Sequence, residues 1–87
     1  DLAVAEETMP PGTAETRHRH RRARQFFYVL AGELTMEMPD GPASLQPGDG
    51  LEIPPQLPHR AYNKSHAPVR FLVISVPTTK GDRENLA

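Results

Sequence analysis

Ten prolines and six glycines are scattered through 87 residues, and they interrupt almost every stretch long enough to be a helix. Proline fixes φ and lacks an amide donor, whereas glycine opens turns that other residues resist. Only short extended segments fit between such interruptions. No window of about eleven residues shows helical apolar periodicity. The chain is therefore expected to be all-β, a sandwich or barrel of about eight short strands, with the jelly roll as the commonest small version.

The segments can be read individually. Leu2 to Ala5 is short and apolar, an expected edge strand, and Met9-Pro-Pro-Gly12 is a turn. Thr16 to His20 is polar and extended. Gln25 to Ala31 is aromatic and β-branched, and it is apolar on both parities: Phe27 and Val29 on one face, Phe26, Tyr28 and Leu30 on the other. A strand apolar on both faces must be covered on both, so a homodimer is expected unless the N-terminal strand supplies the cover. Glu33 to Met38 alternates strictly, with Leu34, Met36 and Met38 inward. Short strands follow at Ala43 to Gln46, Leu51 to Ile53, His59 to Asn63 and Val69 to Val76. The polar tail from Pro77 to Ala87 is expected to lie over the surface, with Asp82 and Arg83 as a surface pair or turn.

A chain this short buries a marginal core. It has no cysteine, which excludes disulfides, thiolate metal sites and cysteine nucleophiles. A metal ion, an oligomer or both would supply the missing stability. No apolar run approaches a membrane span and no secretory signal is visible at Asp1, so a cytoplasmic location is the expectation and no membrane partner is expected.

Four histidines stand at 18, 20, 59 and 66. Residues i and i+2 of a strand share a face, with Cα atoms roughly 6–7 Å apart, so His18 and His20 can converge on one ion. His59 opens a later strand and could add a third imidazole. Three imidazoles with open positions suit a divalent Fe, Mn, Ni, Zn or Cu ion. The plainer reading is an H-x-H pair on solvated, arginine-rich surface. His66 lies in a polar loop and is assigned no role.

The surrounding spacing favours the metal reading. Gly12, five residues, His18-Arg19-His20, four residues, Gln25, six residues and Gly32 closely resemble the first motif of the cupin superfamily, over residues 12–32. Gly48, five residues, Pro54, then His59, three residues and Asn63 resemble its second, over 48–63. The resemblance implies one cupin domain over 1–87, a small double-stranded β-helix barrel, with His18, His20, His59 and position 25 as ligands of one metal ion. Two positions depart from the pattern. Gln25 stands where the family usually has Glu, and Gln56 where it has Gly. A neutral Gln leaves the ion its full charge and cannot accept a proton as a base, or it is simply a core hydrogen-bonding residue. Gln56 is expected at position i+2 of a type I turn, where φ stays negative.

Parity places Phe27, Val29, Leu34, Met36, Met38 and Asn63 around the expected pocket. Met36 and Met38 could be soft copper ligands, but core filling is the plainer reading of alternating methionines. Only the histidines stand out inside as acid–base groups. Arg17, Arg19, Arg21, Arg22 and Arg24 surround the histidine pair. Nucleic-acid binding is one reading of such a run. The net charge of −1 and the lack of interleaved aromatics favour an ion-paired face instead, with Arg17 and Arg19 set against the acidic N-terminal segment. Some of the arginines could also draw an anionic ligand to the pocket. The expected function is metal-dependent chemistry, of dioxygenase or isomerase type, on a small oxygen-rich organic acid or sugar-like molecule. The alternative is a non-catalytic binding or sensing module with the same metal.

Overall fold

The computed structural model describes residues 1–86 and contains no helix among them. The strands are β1 (Ala3–Met9), β2 (His18–His20), β3 (Arg24–Ala31), β4 (Leu34–Met38), β5 (Gly41–Leu45), β6 (Gly50–Ile53), β7 (Arg60–Tyr62), β8 (Val69–Val76) and β9 (Arg83–Asn85). They form a four-stranded sheet in the order β1-β8-β3-β6, a three-stranded sheet β5-β4-β7 and a two-stranded ribbon β2-β9, all antiparallel.

Alternation explains where the core lies. Phe27 and Val29 of β3 stand opposite Val73 and Phe71 of β8, and directly opposed residues share a face. With Val69 and Ile53 they meet Leu34, Met36, Leu45 and Ala61 from the smaller sheet, all buried. Glycine closes the turns where strands reverse. Gly32 takes a φ of +82°, and a Cβ there would collide with the backbone oxygen of Pro68. Left-handed strain and a backbone collision add, so Gly32→Ala is expected to cost about 3 kcal/mol. A urea midpoint within error of wild type would contradict this.

Three expectations change. β1 runs on to Met9 rather than ending at Ala5. The tail contains a ninth strand, because residues 83–85 pair with His18–His20; Ala87 lies outside the described residues. Asp82 is not a surface partner of Arg83. It is buried, and its carboxylate accepts hydrogen bonds from the amides of Arg22 (3.0 Å) and Ala23 (2.9 Å). Burial opposes its charge, but these bonds and the Arg22 guanidinium outweigh it and hold the carboxyl below its ordinary range.

Nor does β1 cover the second face of β3. It extends the larger sheet edge to edge beside β8 and adds its own apolar residues to the outer surface. Val4 is 59% exposed there, Phe26, Tyr28 and Val76 are exposed with it, and Leu2, just before the strand, is 66% exposed.

Candidate metal centre

Two strand facts bring the histidines together. His18 and His20 are i and i+2 on β2, and both are buried while Arg19 between them is not. His18 also forms an isolated antiparallel bridge with His59. Each donates its amide to the other's carbonyl, at 3.0 and 2.8 Å, which sets the two side chains side by side. The three ring centroids lie 4.4, 5.0 and 5.8 Å apart. One nitrogen from each ring can be chosen so that all three lie within 4.8 Å of one another. This buried group could hold a metal ion.

The hydrogen bonds decide which nitrogens are free. Nδ1 of His18 lies 2.7 Å from the Thr16 carbonyl, and Nδ1 of His59 lies 2.9 Å from the Leu57 carbonyl. A carbonyl only accepts, so each Nδ1 carries the proton and each Nε2 keeps its lone pair. Nε2 of His59, Nδ1 of His20 and Oε1 of Gln25 are buried without a partner. Gln25 uses its amide nitrogen to donate to Ser75 Oγ at 3.2 Å. Orphaned acceptors are costly in a protein interior, and a cation shared by these atoms would satisfy them. The residues present fit a divalent ion.

Burial lowers the pKa of all three imidazoles. His20, repelled also by His18 and His59, is pushed down to about 4. They are neutral at pH 7, the form that ligates. An unfolded chain protonates His20 near pH 6.5, the folded one only near 4. Its contribution to stability is whole above about pH 6.5 and is lost as the pH falls towards 4. Glu7, though exposed, works in the opposite sense, since partial desolvation beside the cavity and the Glu15 charge raise its carboxyl. Between pH 7.5 and 5 the metal-free protein is expected to lose about 2 kcal/mol through His20, measured as the difference in urea stability between wild type and His20→Gln. Parallel pH profiles for the two would contradict it.

A cavity of about 180 Å³ opens beside the histidines, lined by Glu7, Glu15, His18, His20, Gln25, Phe27, Val73, Thr79 and Arg83. That is below the usual range for drug-sized ligands and suits a small one. Of the residues expected around the pocket, Phe27 lines this cavity. Val29, Leu34 and Met36 pack in the core cluster, and Met38 lies against it. Asn63 is buried with its amide nitrogen donating to the carbonyls of Met9 and Ala67, and its oxygen accepting from Ser65.

Sequence reasoning missed the charged lining. Glu7 shares the inward parity of Met9, a signal that was hidden by ending the first strand too early. Arg83 and Thr79 sit in a polar tail that offered no signal at all. The arginine run is paired differently from expectation. Arg19 bonds Glu84 at 3.0 Å, Arg22 lies 3.5 Å from Asp82 and Arg24 lies 3.2 Å from Glu52. The N-terminal Glu6 pairs instead with Arg70.

Gln56 also departs from expectation. Its φ is +72°, so it takes the left-handed position of a type II turn, where glycine is usual. The compensation is local: its amide donates to the His20 carbonyl at 2.7 Å, and its side-chain nitrogen to the Arg21 carbonyl at 3.1 Å. The strained residue thereby ties the second motif's turn to the strand carrying the histidine pair.

Comparison with known proteins agrees with this architecture. The chain is 29% identical over 75 residues to the uncharacterized protein MJ1618 of Methanocaldococcus jannaschii, covering 86% of this chain and 60% of that protein. Its fold superposes with a TM-score of 0.82 on a sugar phosphate isomerase from a cupin superfamily, SPO2919 of Silicibacter pomeroyi, at 29% identity, covering 88% of this chain and 51% of the other. On the DMSP lyase DddQ of Ruegeria pomeroyi the TM-score is 0.84 at 28% identity, covering 97% and 42%. The chain thus spans between about two fifths and three fifths of these relatives' lengths. The Cupin domain family model matches residues 5–75, a span that holds His18, His20 and His59 and all but the outer ends of β1 and β8 in the two larger sheets. With its double-stranded β-helix shell and inward imidazoles, the chain belongs to the cupin family.

Proposed function

We propose that this chain binds one divalent metal ion through His18, His20 and His59, with Gln25 as a fourth ligand, and acts through it on a small anionic organic molecule. The observation that carries this is the buried convergence of three neutral imidazoles, with carbonyls holding Nδ1 of His18 and His59 so that their Nε2 lone pairs are free to ligate. With neutral ligands the ion keeps its charge of about +2, so it would polarise ligand oxygens as a Lewis acid. Phe27 and Val73 exclude water from one side of the cavity, and Glu7 and Glu15 offer proton acceptors that Gln25 cannot. That supply of bases supports an enzyme of isomerase or dioxygenase type over a purely binding module. The sugar phosphate isomerase and the DMSP lyase share the shell but differ in chemistry, so the reading rests on the cavity's own residues and not on the shared fold. Turnover of an organic-acid and sugar panel by metal-loaded protein, with oxygen uptake monitored, tests it. Conversion supports catalysis; saturable binding with no product supports the module.

The reading includes a homodimer through the outer face of the larger sheet. Val4, Ile74 and Phe26 form one cross-strand row there, and Leu72 and Tyr28 contribute to the next. A second copy apposing the same face would bury this contiguous apolar surface. Sedimentation at tens of micromolar should give a dimer, and Val4→Asp with Phe26→Asp a folded monomer. A monomeric wild type would contradict it.

A further inference from the structure

The cavity's charges exceed what metal ligation uses. Glu7 reaches it because β1 places it opposite Phe71, on the inward face shared with Met9. Glu15 enters from the loop before β2, with Oε1 accepting from the Ala61 amide at 3.2 Å. Arg83, at the start of β9, also lines the cavity. Its Nε donates to Asn85 Oδ1 at 2.8 Å and a terminal nitrogen donates to the Thr16 carbonyl at 3.4 Å. A guanidinium has five N–H donors, so others are left for a ligand. The neighbouring Asp82, clamped to the amides of Arg22 and Ala23, fixes this segment in place. Two buried side chains, already assigned to the ion, place that ion at the wall of this cavity, within reach of whatever the rim holds. His20 and Gln25, 5% and 7% exposed, line the same cavity and carry unpartnered polar atoms.

The mixture of signs restricts what can bind. Two carboxylates repel a dianion, while Arg83 and a bound divalent ion repel an organic cation. An ammonium group, moreover, has no lone pair to offer the ion. A hydroxyl group meets both demands, because its oxygen faces the cation while its hydrogen is donated to a carboxylate. Arg83 then remains for a single carboxylate, which it can hold bidentately.

We propose that this rim selects a small monoanionic hydroxycarboxylate, with Arg83 holding its carboxylate and Glu7 accepting the hydrogen bond of its hydroxyl. The proposal deepens the metal-site reading and rests on it for the hydroxyl's orientation. Glu15 reinforces Glu7 electrostatically and is itself fixed by the Ala61 amide.

The test uses zinc-loaded full chain, with glycolate and acetate as probes and calorimetry or chemical-shift titration as the readout. Zinc content is measured on every sample. Arg83→Gln should weaken both probes about tenfold with zinc retained, and Arg83→Lys should recover part of the loss. Glu7→Gln should lower the glycolate-to-acetate affinity ratio at least fivefold, since both probes gain from the lost repulsion but only glycolate loses a charged acceptor for its hydroxyl. An unchanged ratio in Glu7→Gln, or acetate binding indifferent to position 83, would overturn the proposal. Failure of the metal reading looks different. Wild type would then retain no zinc, whatever the probes do, and the hydroxyl's role would fall with it while Arg83 could still govern acetate.

Discussion

Replacing His59 with alanine is expected to lower divalent-metal affinity by about a hundredfold or more. Loss of an outer-sphere partner alone costs roughly 10–100-fold in metal sites, and His59 is placed to ligate directly. Its role can be separated from its part in the fold. The bridge to His18 uses only backbone atoms, so alanine preserves it and removes just the ring. His59 is among the fully buried side chains, and the cavity left behind will reduce stability; the metal measurement must therefore be made on protein shown to be folded. His59→Gln, which fills more of the space, is expected to retain the fold with nearly the same loss of metal. Elemental analysis after dialysis against equal metal concentrations checks both variants. Metal content equal to wild type in either folded variant would remove His59 from the site.

Gln25→Glu is expected to move affinity the other way, tightening metal binding by roughly tenfold to a hundredfold, as a carboxylate replaces a neutral carbonyl beside a divalent ion. The same substitution should destabilise the metal-free protein, because a buried carboxylate without a counter-ion is costly. Ser75 can adapt by donating its hydroxyl to the new carboxylate, so the hydrogen bond at this position is kept. The two effects make a distinctive signature: lower urea stability without metal, and a larger gain in stability on metal addition than wild type shows. If Gln25 serves only as a core hydrogen-bonding residue, stability falls and metal affinity does not change. Competition against a chromophoric chelator measures the affinity directly.

The features legible in the sequence were those written in local patterns. Proline and glycine spacing marked the turns, and alternation in residues 34–38 gave β4 its inward face. The i, i+2 rule put His18 and His20 together. The meeting with His59 was not local, and the cupin-like spacing rather than periodicity suggested it; in the structure the bridge between His18 and His59 accomplishes it. What was lost depended on partners distant in the chain. Residues 83–85 form a strand only because His18–His20 offers an edge, so their polar composition carried no strand signal. Asp82 looked like a turn residue because the amides it caps lie some sixty positions earlier. Glu7 was overlooked for a different reason. A charge on an inward-facing position contradicts the usual alternation, and a functional cavity is where that contradiction is tolerated. Gln56 follows the same logic, with hydrogen bonds to the strand of His20 offsetting a backbone conformation that glycine would adopt without strain.

X-ray absorption spectroscopy of protein purified without an affinity tag and loaded with one equivalent of zinc addresses the shared cation most directly. The expected spectrum shows about three imidazole ligands at Zn–N distances of about 2.0–2.1 Å, falling to two in folded His59→Ala where any ion is retained. A spectrum of water and carboxylate oxygens alone, or one unaltered by that substitution, would show that the three rings do not share an ion.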